Sequence, residues 1–353
     1  MTEVFKQIFY RPYPDINPDT DMAVTLKHTP IWGNITSTID WCEENYVQSS
    51  FIAEFCNTLS NMSYIFVSFY LFYTLKKIGI TELRFKLTML GLLLVGVGSA
   101  FFHMSLRYDC QLLDELPMIY ITCIPCYSVI CEPLLYYGRN KTKKYFEMLK
   151  TLQDKTNSHD VDNENSMLLL SGSNTNKVPR ISKTYEHFVI YLFTGLSITM
   201  TIVYYFFLTD PIFHEICYGL LNFIIVYAAV RLTTNFIKES SIKKNLLKSS
   251  LMGVSLFGTG FLLWGLDRQF CGNFRTIRRE YLKLPLGNIL ELHAWWHIFT
   301  GVGLYYMLTY LIFLRINLHN KIKGDVYYGS KYQMVWVGPF GLLPKLKNLS
   351  HKQ

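Results

Sequence analysis

Seven apolar stretches, at 54–76, 86–107, 113–137, 185–208, 212–236, 246–267 and 289–316, limit what this chain can fold into. Each is near the roughly 20 residues that a helix needs to cross about 30 Å of hydrocarbon. Backbone polar groups in lipid must be satisfied within their own segment, so runs of this kind become helices. The expected fold is an all-α integral membrane protein, a seven-transmembrane helix bundle. Only 17% of the residues are charged, against about a quarter in a soluble domain. Aromatic residues make up 16%, which suits helices with interfacial belts. Residues 1–30 are polar and carry Pro12, Pro14, Pro18 and Pro30, so the first membrane helix is expected to serve as the targeting signal itself.

Charge placement orients the bundle. Lys76, Lys77, Arg84 and Lys86 fill the first connection, Arg139, Lys141, Lys143 and Lys144 the third, and Lys238, Lys243, Lys244 and Lys248 the fifth. The tail adds Arg315, Lys321, Lys323, Lys331, Lys345, Lys347 and Lys352. All lie on one side if the N-terminus is lumenal and the C-terminus cytosolic. Arg268, Arg275, Arg278, Arg279 and Lys283 in the sixth connection argue the other way and are outvoted. The expected division is a lumenal leader (1–53), a membrane domain (54–316) and a basic cytosolic tail (317–353). A polar insert at 138–184 lacks periodicity and reads as a disordered cytosolic loop. The net charge of +8 sits in short connections between apolar runs, which indicates topology signals and lipid headgroups rather than nucleic acid.

Within the last apolar run, Glu291-Leu-His293-Ala-Trp-Trp-His297 places two histidines four residues apart, on one helical face. Ionisable side chains inside a membrane segment are costly and usually functional. A His pair at helical spacing suggests a metal, which needs a third ligand at the same depth. The second run ends Gly98-Ser99-Ala-Phe-Phe-His103 on the lumenal side, with Ser99 one turn before His103. Across a short turn, Asp114 begins the third run. Three histidines leave a tetrahedral Zn²⁺ one open position, the pattern of a catalytic site. Asp114 is then placed to move a proton and Ser99 to donate to an oxyanion. The alternative is that each histidine is a satisfied hydrogen-bonder between helices, the reading kept for His28, His159, His187, His214, His319 and His351.

A second cluster, Asp40-Trp41-Cys42-Glu43-Glu44-Asn45 with Glu54, holds oxygen ligands of the kind that Ca²⁺ takes. Its spacing alone slightly favours a solvated acidic turn at a helix N-terminus. Asp160, Asp162 and Glu164 alternate as calcium ligands do, but lack the glycine and closing Glu of an EF-hand. Cys123 and Cys126 form a CxxC inside an apolar run, where packing is expected. Asn34-Ile-Thr36 matches the glycosylation acceptor pattern, close to the membrane.

Asp40-Trp-Cys-Glu-Glu-Asn-Tyr46 with Asn57-Thr-Leu-Ser-Asn61, Gly98-Ser-Ala-Phe-Phe-His103, Gln111-Leu-Leu-Asp-Glu-Leu-Pro-Met-Ile-Tyr120 and His293-Ala-Trp-Trp-His297-Ile-Phe-Thr-Gly301 together resemble the alkaline ceramidase family. The likeness spans about 31–316. Length and insert are closer to the fungal phytoceramidase and dihydroceramidase members. The resemblance implies a zinc-dependent hydrolase that cleaves ceramides drawn from the bilayer into a sphingoid base and a fatty acid, with the reverse synthesis also in view. It implies zinc on His103, His293 and His297, and catalytic roles for Asp114 and Ser99. It also reverses the reading of the acidic cluster, placing Ca²⁺ on Asp40, the Trp41 carbonyl, Glu43, Asn45 and Glu54, with Glu44 excluded. It implies a disulfide between Cys42 and Cys271, which the topology puts on one oxidising side. An endoplasmic reticulum or Golgi membrane is the expected location. A seven-helix lipid receptor of the progestin/adiponectin-receptor type, with a structural zinc, is the alternative. A transporter would carry broken helices or inverted repeats, and neither is visible.

Overall fold

The computed structural model describes residues 11–17, 22–23, 30–156, 183–207, 211–320, 332–338 and 341–348. A short strand pair, β1 (Ile16–Asn17) and β2 (Met22–Ala23), comes first. The helices follow as α1 (Phe55–Ser60), α2 (Met62–Ile78), α3 (Leu83–Ser105), α4 (Tyr108–Thr156), α5 (Lys183–Phe206), α6 (Pro211–Phe236), α7 (Ser240–Gln269), α8 (Cys271–Ile277) and α9 (Leu292–Asn320). An antiparallel hairpin of β3 (Tyr332–Val337) and β4 (Leu343–Asn348) closes the chain.

Among the described residues, six helices are long and apolar enough to cross a membrane: Leu83–Ser105, Tyr108–Glu132, Thr184–Phe206, Pro211–Phe236, Ser240–Gln269 and Leu292–Leu318. The chain is therefore a mostly helical membrane protein. The first apolar stretch is also helical, but it divides at the buried Asn61 into α1, of 6 residues, and α2, of 17. Side chains compete with the backbone here: Thr58 Oγ1 donates to Glu54 O, Ser60 Oγ to Asn57 O and Asn61 Nδ2 to Asn57 O. Helix α2 ends on Gly79 in the left-handed region, its N–H bonded to Lys76 O while Ile80 N reaches Leu75 O. Helix α4 runs past its expected end at 137, on through Thr156, because the Lys, Leu, Met and Glu of that stretch favour helix. Residues 157–182 of the expected insert, with His159, Asp160, Asp162 and Glu164, lie outside the described residues, as do His28 and 321–331, 339–340 and 349–353 of the tail.

Helix α9 is the axis of the bundle, with 72% of its membrane window buried. It packs mainly on α7 and α2, and α3 packs on α4. One core joins Leu71, Met89, Leu92, Tyr306, Tyr310 and Phe313, and takes in Met334 and Leu346 of the hairpin. Two glycines allow the close approaches that build the site. A Cβ on Gly98 would lie 2.2 Å from Leu113 O, so α3 and α4 touch backbone to backbone there. A Cβ on Gly301 would lie 2.6 Å from Ser63 Oγ, where α9 meets α2.

The end of α3 is fastened to the leader. Leu106 takes a left-handed conformation, φ 51°, unusual for a branched residue. Its carbonyl accepts from both Thr36 N and Ser37 N at 3.1 Å. Ala53 N and Glu54 N then donate to Met104 O and His103 O, both at 3.0 Å. This pairing carries the acidic cluster to the end of α3.

Candidate active site

His103 near the end of α3 meets His293 and His297 on the first turns of α9. All three are buried, and one potential ligand atom from each lies within 4.8 Å of the others. Their outer nitrogens are already committed in two cases. His103 Nδ1 is bonded to Glu54 Oε2, and His297 Nδ1 to Ser60 Oγ at 2.7 Å. This leaves Nε2 of each for a ligand, and such carboxylate or hydroxyl partners fix the tautomer of a metal-bound imidazole. His293 stacks on Trp41, ring centroids 3.8 Å apart at 18°, and its buried Nδ1 has no hydrogen-bond partner. An orphaned nitrogen in a buried cluster of three imidazoles fits a metal ion, since burial without a partner is costly.

Ser99 and Asp114 are brought together by the Gly98–Leu113 contact, which sets the Ser99 hydroxyl beside the Asp114 carboxyl group. Tyr64 links this pair to the histidines. Its ring stands edge-on to His297 at 6.0 Å and within electrostatic reach of Asp114, and its hydroxyl bonds Thr300 Oγ1 at 2.5 Å. The turn that carries Asp114 is held from behind. Glu115 accepts from Gln111 Nε2 at 3.2 Å and from the Tyr204 hydroxyl, while His214 Nε2 bonds Glu115 O at 2.7 Å.

The acidic cluster is also assembled. Glu43 accepts from Cys56 N at 2.7 Å and Asn57 N at 2.8 Å. Glu54 Oε1 accepts from Trp41 N at 3.1 Å, and Asn45 Nδ2 donates to both Asp40 oxygens at 3.2 and 3.0 Å. Burial, and next the nearby charge of Glu54, push Glu43 up to about 8. The buried Asn45 Oδ1 has no hydrogen-bond partner, so this set of buried oxygens fits a cation. Glu44 turns away to Arg279 Nε at 2.5 Å. Cys42 and Cys271 are disulfide-bonded with Cα atoms 5.3 Å apart.

The arginines that opposed the charge bias have structural partners. Arg278 is fully buried, ion-paired with Glu291 and donating to Cys42 O at 2.8 Å, while Arg275 Nε reaches the same carbonyl at 3.0 Å. Sequence reasoning missed the bonds of Glu54 to His103 and Ser60 to His297, and the stacking of Trp41 on His293. The Asn57-Thr-Leu-Ser-Asn61 motif was the one available signal, since it is polar where a membrane helix should be apolar.

Residues 33–346 match the family described as Ceramidase. The chain is 37% identical over 306 residues to alkaline ceramidase YPC1 of Saccharomyces cerevisiae, covering 87% of this chain and 83% of the yeast protein. It is 34% identical over 295 residues to alkaline ceramidase 3 of Mus musculus, covering 83% and 90%. The alkaline ceramidase of Drosophila melanogaster is 27% identical over 282 residues, covering 80% and 78%. With matches of this extent, the chain belongs to the alkaline ceramidase family of hydrolases.

Proposed function

We propose that this chain hydrolyses the amide bond of ceramides, phytoceramide and dihydroceramide among them, to a sphingoid base and a free fatty acid, and that the same site can run the reverse synthesis. The observation that carries the reading is the buried group of His103, His293 and His297 beside the Ser99–Asp114 pair. His103, His293 and His297 would hold a zinc ion, which would supply polarisation of the amide carbonyl and acidify water to a pKa of about 7. Asp114 takes the proton of the attacking water and returns it to the nitrogen of the leaving amine. Ser99 donates to the oxygen that becomes negative as the carbonyl is attacked. Glu54 and Ser60 hold His103 and His297 in the tautomer that presents Nε2.

Asp40, the Trp41 carbonyl, Glu43, Asn45 and Glu54 are proposed to hold Ca²⁺, an ion that takes carboxylate and carbonyl oxygens. Helix α2 is proposed as the seventh span, which makes the N-terminus lumenal and the C-terminus cytosolic in an endoplasmic reticulum or Golgi membrane. A receptor with a structural zinc is the weaker reading, because the named relatives are ceramidases.

The test is purified protein assayed on ceramide, dihydroceramide and phytoceramide, with bound metal measured in parallel. His103→Ala is expected to lose both zinc and hydrolysis. Asp114→Asn is expected to keep zinc and lose hydrolysis by at least about 10²-fold, the scale of a general base. Full activity in a folded His103→Ala protein would refute the assignment.

A further inference from the structure

The β3–β4 hairpin packs on α9 and α2 and reaches the start of α7. Helix α7 has 30 residues, about 45 Å at 1.5 Å each, which exceeds the about 30 Å of hydrocarbon. Its excess is at the start, where Ser240–Ser250 is polar and holds Lys243, Lys244 and Lys248. The polar stretch ends level with Tyr306 of α9, whose carbonyl accepts from Ser249 Oγ at 3.0 Å. The hairpin lies over this projecting end. The Tyr305 hydroxyl donates to Pro344 O, the Tyr306 hydroxyl to Leu342 O at 2.9 Å, and Trp336 Nε1 to Asn245 Oδ1 at 3.0 Å. Its tip therefore lies against the middle of α9, beside the lysine-bearing start of α7.

The side chains are sorted accordingly. At the tip, Val337, Leu342 and Leu343 are exposed. Along β4 the strand alternates: Leu346 is buried in the core, while Lys345 and Lys347 face outward. Lys248 lies over the Trp336 ring, 3.9 Å from its centroid. The charge is one-sided, since residues 321–353 contain Lys321, Lys323, Lys331, Lys345, Lys347 and Lys352 against a single acid, Asp325. An apolar tip beneath a lysine-bearing stem is complementary to the edge of a leaflet that carries anionic headgroups.

We propose that the β3–β4 hairpin is a lipid-binding wedge, in which Val337, Leu342 and Leu343 enter the bilayer edge and Lys248, Lys345 and Lys347 bind the phosphate of an anionic phospholipid. Because Tyr305 and Tyr306 belong to the helix that carries His293 and His297, a bound headgroup braces α9.

The full-length zinc-loaded protein in neutral detergent, titrated with short-chain phosphatidylserine, tests this through retained lipid by native mass spectrometry and through Tm. Phosphatidylserine is expected to bind and raise Tm, whereas phosphatidylcholine and inorganic phosphate leave it unchanged. Lys345→Gln with Lys347→Gln is expected to weaken that binding on the order of ten-fold, from the contribution of two interfacial lysines, with zinc content unchanged. Neutralising Lys86 and Lys238, at the same end but off the hairpin, is expected to leave binding intact. An undiminished response in the Lys345/Lys347 variant, or an equal loss in the Lys86/Lys238 variant, overturns the proposal. If the double variant fails to hold zinc, Leu342→Ser with Leu343→Ser replaces it, and wild-type lipid retention there overturns the proposal as well.

Discussion

Glu54 is the residue whose role differs most from its position in the chain. It caps a six-residue helix, yet its carboxylate takes the Nδ1 of His103 while the other oxygen accepts from Trp41 N. We expect Glu54→Gln to lower zinc affinity by about 10–100-fold, the usual cost of losing a carboxylate behind a metal-bound imidazole. Activity should fall at limiting zinc and recover when zinc is added, which damage to packing alone would not allow. The i, i+4 spacings of His293 with His297 and Ser99 with His103 were legible because helical geometry is local. The Glu54–His103 contact was not, because it depends on the leader pairing with Met104 and His103 at a sequence separation of 49. Trp41 on His293 is hidden for the same reason.

At the scale of elements, the apolar runs gave the helices, because hydrocarbon leaves the backbone no other solution. Their interruptions were harder to see. The break at Asn61 comes from three side chains bonding back to carbonyls, a competition that apolar periodicity does not register. The tail hairpin was masked by its lysines, although Pro344 to Lys347 already alternates with the period of a strand. The Gly98–Leu113 crossing places Ser99 and Asp114, so Gly98→Val should separate α3 and α4. Displacement of this pair by about 1 Å costs roughly 10²-fold in rate. We expect kcat to fall by that order while bound zinc is retained, measured on purified protein. Unchanged kcat would mean that the helices can yield without moving the pair.

For the whole molecule, the leader, the end of α3, the Arg275–Arg279 segment and the start of α9 form one cap over the histidines, fastened by Cys42–Cys271 and Arg278. A cation among Asp40, Glu43, Asn45 and Glu54 would stabilise the cap as a unit. A chelator selective for calcium over zinc is expected to lower Tm and activity together. At a hundredfold excess over its Kd, calcium should restore about 2.7 kcal/mol, and Asp40→Asn should blunt that response. Indifference of wild-type Tm to chelation would remove calcium from this site.

One carboxylate, that of Glu54, faces both the acidic cluster and the three imidazoles proposed to hold zinc. Binding free energies around a closed cycle must sum to zero, so two cations that share a ligand group cannot influence each other in one direction only. Whatever factor calcium imposes on the affinity of the histidines for zinc, zinc imposes on the affinity of the cluster for calcium. Under the proposed assignment, a cell that varies either ion sets the loading of both, through a single side chain between them.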